Sequence, residues 1–430
     1  MKRLFEKELI QWKNDGCIKP MMVVGARQVG KTYLIQKFCK ENYENCYFFD
    51  LAKDEDILSV FKNTIDPVKI IRQIQVIKNM KIHPEKDILF FDEIQNSERA
   101  IESMKYFCDY QKHYNIVCAG SLLGVKIHRM KSSFPVGKVE IRFMNPMNFK
   151  EFLMAYEQDD LIELIQDCFE SKQSIASVIH DRANEFYRKY LYVGGMPEVV
   201  YNYIHNENID SKLRENLITS YLADMSKYTE NTESIKNIKI YQSIPAQLAK
   251  ENTKFKYSLV DKSARAIRYE SSLDWLIHSR MVLKCSHVTN TQIPLRAFEQ
   301  DSVFKIYLSD CGLLSSLSRV EEKDIILDSL GMFFGALTEN YVACEMNSYG
   351  NPLHYFTFSK YEIDFLLKID SKIIPVEVKK GKNTSSKSLN NYIERYNPDY
   401  SIRLSMKNFG FENNIYSVPL YALFCILEHK

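Results

Sequence analysis

Roughly the first 145 residues alternate short apolar segments with segments of helical periodicity. Apolar runs predict strands at Met21–Val24, Asn45–Leu51, Asp87–Phe91 and Ile116–Ala119, and helical spacing runs from Lys31 to Cys39. Such alternation is typical of a parallel sheet with helices on its faces. We therefore predict an α/β fold with a parallel sheet for this part of the chain.

The middle of the chain reads as helical. Helical patterning runs from residue 148 to about 228, interrupted by a turn at Gly194-Gly195-Met196-Pro197. The sequence predicts a compact, mainly helical unit over residues 233–290, in which a strand begins at Met281 after the third helix. Helices followed by a pair of strands are the order of a winged helix-turn-helix, so we expect a winged-helix-like unit here.

The last part of the chain mixes one helix with strands. A helix is predicted over Ala336–Met346, and strands over Ile363–Leu367 and Ile373–Val378. The five residues between the strands, Lys368–Lys372, contain Asp and Ser and predict a turn. This pattern indicates a small α/β domain.

Composition narrows the function classes. A chain of 430 residues corresponds to two or three domains at about 150 residues each. The 57 Lys and Arg nearly balance the 55 Asp and Glu, so any nucleic-acid signal must be local. Ten cysteines without a C-x-x-C pair disfavour a disulfide framework or zinc ribbon. The apolar run Leu420–Leu427 is too short to span a bilayer, so we expect a cytoplasmic protein without membrane association.

One segment carries a phosphate-binding signature. The pattern G-x-x-x-x-G-K-[ST] is met in full by Gly25, Ala26, Arg27, Gln28, Val29, Gly30, Lys31 and Thr32. It follows a predicted strand and opens a predicted helix, where backbone N–H groups can wrap phosphates. Lys31 is predicted to reach the β- and γ-phosphates, and Thr32 to offer its hydroxyl to Mg²⁺. The segment predicts binding of a nucleoside triphosphate, ATP.

A second segment supplies two carboxylates. Four apolar residues lead into Asp92 and Glu93, which predicts a buried strand that delivers Asp92 to the metal ion and Glu93 to a water molecule. Glu93 beside the metal carboxylate is the candidate general base for hydrolysis. Ser121 ends the next apolar strand, where it would hold the attacking water or the γ-phosphate, or merely cap the strand. The sequence therefore predicts ATP hydrolysis.

Several strings together resemble one family, the AAA+-type ATPases of the AAA_14/DUF4143 family. The matching strings are Gly25–Thr32, Phe91–Gln95, Ala119–Ser121, Asn145–Phe152, Gly194–Val199, Gln247–Lys250 and Phe304–Leu314. The resemblance implies an AAA+-type ATPase with a helical lid, a winged-helix-like middle and a C-terminal domain similar to restriction-endonuclease-like folds. We accordingly predict domains at residues 1–230, 231–315 and 316–430.

The chain departs from the family pattern at one point. Members typically carry Gly-Arg where this chain has Gly137-Lys138. A lysine does not supply the planar fork of an arginine on the γ-phosphate. Arg129 and Arg142 lie nearby in sequence as substitutes. The resemblance also suggests a homo-oligomeric ring, an inference that the missing arginine weakens.

The C-terminal part contains a second set of carboxylates. Asp364 lies on one predicted strand, and Glu377 and Lys379 end the next, which is the spacing of the PD-(D/E)xK nuclease site. Asp364 and Glu377 would bind Mg²⁺, and Lys379 would orient or deprotonate the attacking water. Glu339, on the helix before, matches the extra carboxylate that such folds often add. An edge hairpin with surface charges would look the same.

A local cluster of basic residues surrounds the third helix of the middle unit: Lys250, Lys254, Lys256, Lys262, Arg265 and Arg268. In a winged helix this helix enters the major groove of DNA. We predict an ATP-hydrolysing protein that engages DNA and carries a candidate nuclease site. The alternative is a nucleotide-switched binding or assembly module with a degenerate nuclease fold and a protein partner.

Overall fold

The computed structural model describes residues 1–130, 134–227, 231–250, 254–262, 265–381 and 387–428. The chain divides into two compact units. The first unit comprises residues 2–145 and 278–280, and the second comprises residue 1, residues 146–277 and residues 281–430.

The first unit is a parallel sheet with helices. Its elements in chain order are α1 (Phe5–Asn14), β1 (Met21–Val24), α2 (Lys31–Asn42), β2 (Asn45–Asp50), α3 (Glu55–Asn63), α4 (Pro67–Lys78), β3 (Asp87–Asp92), α5 (Glu98–Asp109), β4 (Asn115–Gly120), α6 (Leu123–Arg129) and β5 (Glu140–Phe143). The strand order is β2-β3-β4-β1-β5, with every neighbouring pair parallel. The predicted parallel sheet is confirmed, and β5 adds an edge strand that the sequence did not predict.

Burial explains why these segments are strands. Every residue of β1 and β3 is buried, as expected for strands covered on both faces. The ring of Phe91 stacks on Phe49 and meets Phe61 edge to face, which ties β3 to β2 and α3. Helix α4 begins at Pro67 because the Asp66 side chain accepts hydrogen bonds from the N–H groups of Val68 and Lys69.

The second unit combines helices with two sheets. Its elements are α7 (Phe149–Ala155), α8 (Asp159–Ser171), α9 (Ser177–Val193), α10 (Pro197–Asn206), α11 (Ser211–Lys227), α12 (Asn231–Leu248), α13 (Tyr257–Val260), α14 (Ala266–His278), β6 (Val282–Val288), β7 (Glu299–Leu308), α15 (Cys311–Leu317), α16 (Glu322–Ile326), α17 (Met332–Ser348), β8 (His354–Phe358), β9 (Tyr361–Ile363), β10 (Phe365–Ile369), β11 (Lys372–Val378), α18 (Lys387–Tyr396), β12 (Ser401–Ser405), β13 (Gly410–Glu412), β14 (Ile415–Pro419) and α19 (Leu423–Glu428).

One sheet of the second unit has the order β7-β6-β8-β9, and the other has the order β10-β11-β12-β14-β13. Strands β6 and β7 are antiparallel, β6 and β8 parallel, and β8 and β9 antiparallel. The first sheet therefore joins strands of the predicted middle domain to strands of the predicted C-terminal domain. Backbone hydrogen bonds between β6 and β8 cross the predicted domain boundary at residue 315. They explain why residues on both sides of this boundary belong to one compact unit. The division into three domains stays a prediction.

The turn at Gly194-Gly195 is fixed by a buried carboxylate. Asp310 accepts hydrogen bonds from the N–H of Gly195 at 2.6 Å and from the N–H of Leu313 at 2.9 Å. A Cβ on Gly195 would lie 1.9 Å from the carbonyl oxygen of Met147, so only glycine fits there. Burial raises the pKa of Asp310 to about 6, although these N–H donors lower it. Two of the family strings therefore meet for structural reasons.

Among the described residues, no helix has both the length and the apolar character needed to cross a membrane.

Candidate functional site

The phosphate-loop residues lie between β1 and α2, as the sequence predicts. A Cβ on Gly25 would lie 2.2 Å from the carbonyl oxygen of Met144, so this position has room only for glycine. Gln28 and Gly30 have φ angles of 63° and 91°, in the left-handed region that glycine adopts most readily. The loop therefore turns tightly into the N-terminus of α2, the end of a helix that favours an anion.

Lys31 lies inside this loop. Its side chain is buried, and its ammonium donates to the carbonyl oxygens of Gly25 at 2.9 Å and Ala26 at 2.7 Å. These contacts hold the positive charge against the curve of the loop. A phosphate group seated on the loop would therefore meet this charge.

Thr32 and Asp92 are in direct contact. The Thr32 hydroxyl donates to Oδ2 of Asp92 at 2.6 Å, which links the first turn of α2 to the last residue of β3. Carboxylate and hydroxyl oxygens are the ligands that Mg²⁺ prefers. Burial raises the pKa of Asp92 above its ordinary value, although the Thr32 hydrogen bond lowers it. A bound cation would favour the ionised carboxylate.

Glu93 follows Asp92 in a left-handed conformation, with φ at 51°. Its N–H donates to Oδ1 of Asp92 at 3.0 Å, and its carboxylate accepts a hydrogen bond from Nε2 of Gln95. Gln95 itself lies against β4, where a Cβ on Gly120 would be 1.9 Å from Oε1 of Gln95. Gln95 therefore holds the candidate general base, Glu93. Ser121, directly after β4, is also buried.

The charged residues near the missing Gly-Arg pair are engaged within the first unit. Lys138 pairs with Asp109 at 2.5 Å. Arg142 pairs with Glu140 at 2.9 Å and with Glu8 at 3.4 Å. These ion pairs assign neither Lys138 nor Arg142 to the γ-phosphate.

The predicted C-terminal residues come together on the hairpin of β10 and β11. Asp370 and Ser371 form its turn, both with positive φ. Phe365 pairs with Val376, and Asp364 and Glu377 are the next residues along the chain beyond this pair. Oδ2 of Asp364 accepts from the N–H of Val378 at 2.7 Å.

Glu377 is almost fully buried and pairs with Lys379. Its Oε1 lies 2.8 Å from Nζ of Lys379, whereas its Oε2 has no hydrogen-bond partner among the described residues. A Glu-x-Lys pair in mutual contact is what the sequence predicts for this strand.

A lysine that the sequence did not single out lies beside Glu339 and Glu362. Lys305, on β7, is fully buried, and its ammonium lies 2.7 Å from Glu362 and 3.6 Å from Glu339. The Tyr307 hydroxyl donates to Glu339 at 3.0 Å. We call Lys305, Glu339, Glu362 and Asp364 the lysine-carboxylate cluster.

Electrostatics bind this cluster together. Burial raises the pKa of Asp364 well above its ordinary value, and the charge of Glu339 raises it further. Burial lowers the pKa of Lys305, but the carboxylates of Glu339, Glu362 and Asp364 outweigh it and raise the pKa overall. Lys305 therefore stays charged. Its position in the otherwise apolar strand Phe304–Leu308 is the sequence signal that could have revealed it.

The predicted basic cluster lies on the surface. Its exposed members are Lys250, Lys256, Lys262, Arg265 and Arg268, which we call the basic surface. Gln247 holds the backbone of Lys256 by donating to its carbonyl at 2.9 Å and accepting from its N–H at 3.0 Å. Phe255 stacks on Phe304 of β7. Lys256 and the start of α14 therefore present positive charge at the surface.

Comparison with protein families gives three matches along the chain. Residues 18–153 match the model of an AAA domain. Residues 184–324 and 334–423 match two domains of unknown function, DUF8612 and DUF4143. The first part of the chain is therefore similar to AAA domains. The match to this domain spans the phosphate loop, Asp92, Glu93 and Ser121.

No curated protein matches the chain. Solved structures that resemble it include the Walker-type ATPase PABY2304 of Pyrococcus abyssi, at 14% identity and a TM-score of 0.45 over 74% of this chain and 95% of that one. The ORC2 protein of Aeropyrum pernix in its ADPNP–ADP complexes is 12% identical, with a TM-score of 0.36 over 76% of this chain and 93% of that one. AMPPCP-bound DnaA from Aquifex aeolicus is 13% identical, with a TM-score of 0.30 over 65% of this chain and 90% of that one.

Proposed function

We propose that the AAA-type domain binds ATP with Mg²⁺ and hydrolyses it. The observation that carries the proposal is the 2.6 Å hydrogen bond between Thr32 and Asp92, beside the buried ammonium of Lys31. It joins the end of the phosphate loop to the end of β3, so a hydroxyl and a carboxylate face the same small space. A hydrated Mg²⁺ takes such oxygen ligands.

Each residue has a defined role in this proposal. The backbone of Gly25–Thr32 holds the phosphates at the N-terminus of α2, and Lys31 neutralises the β- and γ-phosphates. Thr32 and Asp92 hold Mg²⁺, which when bound neutralises charge on the phosphate oxygens. Glu93 accepts a proton from the attacking water, and Gln95 positions its carboxylate. Ser121 lies at the adjacent strand end to contact the water or the γ-phosphate.

The test is ATP binding and phosphate release by wild type and Lys31→Ala. Removing a charged hydrogen-bond donor costs about 1.5–3 kcal/mol, so ATP affinity should fall roughly tenfold to a hundredfold. Lys40→Ala is the matched control, because Lys40 is an exposed lysine of the same helix. Equal ATP affinity in wild type and Lys31→Ala would refute the proposal.

A second observation favours DNA engagement, which we propose as a function of the basic surface. Arg265 and Arg268 are exposed at the start of α14, and α14 is followed by the antiparallel pair of β6 and β7. This is the element order of a winged helix, in which the third helix contacts DNA. Positive charge on that helix would neutralise backbone phosphates.

Fluorescence anisotropy of a labelled duplex over a salt series tests this function. Replacing both Arg265 and Arg268 by Glu should weaken binding at least tenfold and reduce the salt slope by roughly 0.9 per lost phosphate contact. Arg296→Glu is the control, an exposed arginine outside the basic surface. Affinity that is identical with ATP, ADP and no nucleotide would show that the nucleotide does not control DNA binding.

The C-terminal carboxylates leave two candidate roles. Asp364, Glu377 and Lys379 lie on one hairpin, as a PD-(D/E)xK nuclease requires, with Glu339 on α17 as the added carboxylate. In the alternative, the same fold serves as a binding module without nuclease activity. Charged Lys305 beside Glu339 and Glu362 favours the alternative, which we propose.

A further inference from the structure

The lysine-carboxylate cluster is built by three separate parts of the second unit. Lys305 comes from β7, Glu339 from α17 and Glu362 from β9, and Asp364 lies just before β10. In the sheet order β7-β6-β8-β9, two strands separate Lys305 from Glu362. The ammonium lies 4.9 Å from the centre of the Tyr355 ring, on the intervening strand β8, and reaches Glu362 at 2.7 Å.

We propose that the ammonium of Lys305 is the resident cation of this cluster and takes the place that a divalent metal ion would need. The C-terminal part of the chain is then a nuclease-like scaffold without a metal site. This inference goes beyond ATP hydrolysis and does not depend on it.

The donor count supports the assignment. A lysine ammonium has three N–H donors and no acceptor, so it satisfies carboxylate oxygens in its immediate surroundings. Mg²⁺ needs oxygen ligands at about 2.0–2.1 Å in octahedral arrangement. The buried ammonium would repel a second cation among the same carboxylates. The Lys305 side chain has no exposed surface.

The other two predicted metal ligands each have one carboxylate oxygen engaged, whereas Oε2 of Glu377 has no hydrogen-bond partner among the described residues. Oδ2 of Asp364 accepts from the N–H of Val378, and Oε1 of Glu377 pairs with Lys379. Within the described ranges, no three His, Cys, Asp or Glu side chains are grouped so that they could hold a metal ion. The residues that imply Mg²⁺ by their spacing therefore do not fit it in this structure.

The first experiment needs only variants that keep the lysine. Mn²⁺ binding to the nucleotide-free chain of 430 residues is measured by the loss of the free-ion electron paramagnetic resonance signal. We expect Asp364→Asn to leave Mn²⁺ binding within twofold of wild type, and any Mn²⁺ that wild type binds to be lost in Asp92→Asn. A Mn²⁺ ion that wild type binds and Asp364→Asn loses would overturn the proposal.

The second experiment removes the resident cation. Lys305→Met keeps the length of the side chain without its charge, and we expect at least tenfold tighter Mn²⁺ binding than in wild type. The gain should vanish in Lys305→Met combined with Asp364→Asn. Lys368→Met, an exposed lysine of β10, should gain nothing.

These outcomes separate the alternatives. A folded Lys305→Met protein without added Mn²⁺ affinity would overturn the proposal. If that variant does not fold, the comparison of wild type with Asp364→Asn decides. Mn²⁺-dependent DNA cutting by wild type that Asp364→Asn abolishes would equally overturn it. If the Lys31→Ala experiment refuted the proposed ATP binding, the Mn²⁺ results would still stand, because they are measured without nucleotide.

Discussion

Two regions of this molecule present carboxylates at strand ends, and they differ in what faces those carboxylates. Asp92, at the end of β3, accepts a hydrogen bond from the Thr32 hydroxyl. The ammonium of Lys31, the residue before Thr32, is held by carbonyl groups of its own loop. Asp364 and its neighbours Glu339 and Glu362 have the buried ammonium of Lys305 among them. A hydroxyl leaves room for a cation, whereas an ammonium is one.

The difference shows that the spacing of carboxylates does not by itself identify a metal site. Asp92 is predicted from an apolar strand that ends in acidic residues, whereas Asp364 is predicted from its spacing to Glu377 and Lys379 on the next strand. Glu362 is not predicted as a site residue. In the first unit, the partner residue Thr32 belongs to the same local motif that defines the site. In the second, the decisive partner comes from another strand of a different sheet. The cation partner must therefore be known before a metal is assigned.

The largest effect that would sharpen this comparison is on stability. Lys305→Met removes a fully buried cation from partly buried carboxylates, and breaking a buried ion pair costs about 3–5 kcal/mol of unfolding free energy. Lys31→Met removes donors to two backbone carbonyls and should cost only about 1–2 kcal/mol. Urea unfolding transitions of both variants, with Lys368→Met as the exposed control, measure the contrast. Equal losses for Lys305→Met and Lys31→Met would break the comparison.

The next effect concerns chemistry at the first site. Glu93→Gln keeps the size of the side chain but removes its ability to accept a proton, so ATP hydrolysis should fall about a hundredfold or more. ATP affinity should stay within a few-fold of wild type, because Glu93 is not placed on the phosphates. Glu85→Gln is the control, an exposed carboxylate before the other end of β3. Undiminished phosphate release by Glu93→Gln would remove Glu93 from the proposed mechanism.

A smaller effect tests the contact that positions Glu93. A methyl group on Gly120 would lie 1.9 Å from Oε1 of Gln95, so Gly120→Ala must displace the Gln95 side chain. Overpacking of this kind costs about 1–3 kcal/mol of stability. Hydrolysis should fall together with the unfolding transition, because Gln95 holds the Glu93 carboxylate. Gly410→Ala is the control, since a Cβ there meets nothing within 4 Å. Unchanged hydrolysis in a destabilised Gly120→Ala protein would separate Gln95 from catalysis.

Local motifs were predictable from the sequence, and partners from distant strands were not. The strand at β1, the loop Gly25–Thr32 and the helix that follows are adjacent in sequence, so their pattern identifies them. Gln95 lies within a quoted string, but its contact with Glu93 depends on the left-handed backbone at Glu93. Lys305 meets Glu362 because β6 pairs with both β7 and β8, and β8 pairs with β9. Strand pairing between distant segments is not encoded in a local pattern.

The smallest expected effect concerns the dependence of stability on pH. The pKa of Asp364 is raised in the folded protein by burial and by Glu339, with Glu362 adding and Lys305 opposing. The folded state therefore binds more protons than the unfolded state above the ordinary pKa of Asp, and stability falls as pH rises through that window. Asp364→Asn lacks this fall but keeps an oxygen that accepts the N–H of Val378.

We therefore expect Asp364→Asn to match wild-type stability within about 1 kcal/mol at pH 7 and to lose less between pH 5 and pH 8. Asp310 and Glu345, with pKa values of about 6 and about 8, titrate in both proteins, so the difference between the two pH profiles isolates Asp364. Asp301→Asn, an exposed carboxyl on β7, should follow the wild-type profile. A steeper fall for Asp364→Asn than for wild type would mean that Asp364 is ionised and paired in the folded protein. Asp364 would then be ionised like a metal-binding carboxylate such as the one proposed at Asp92.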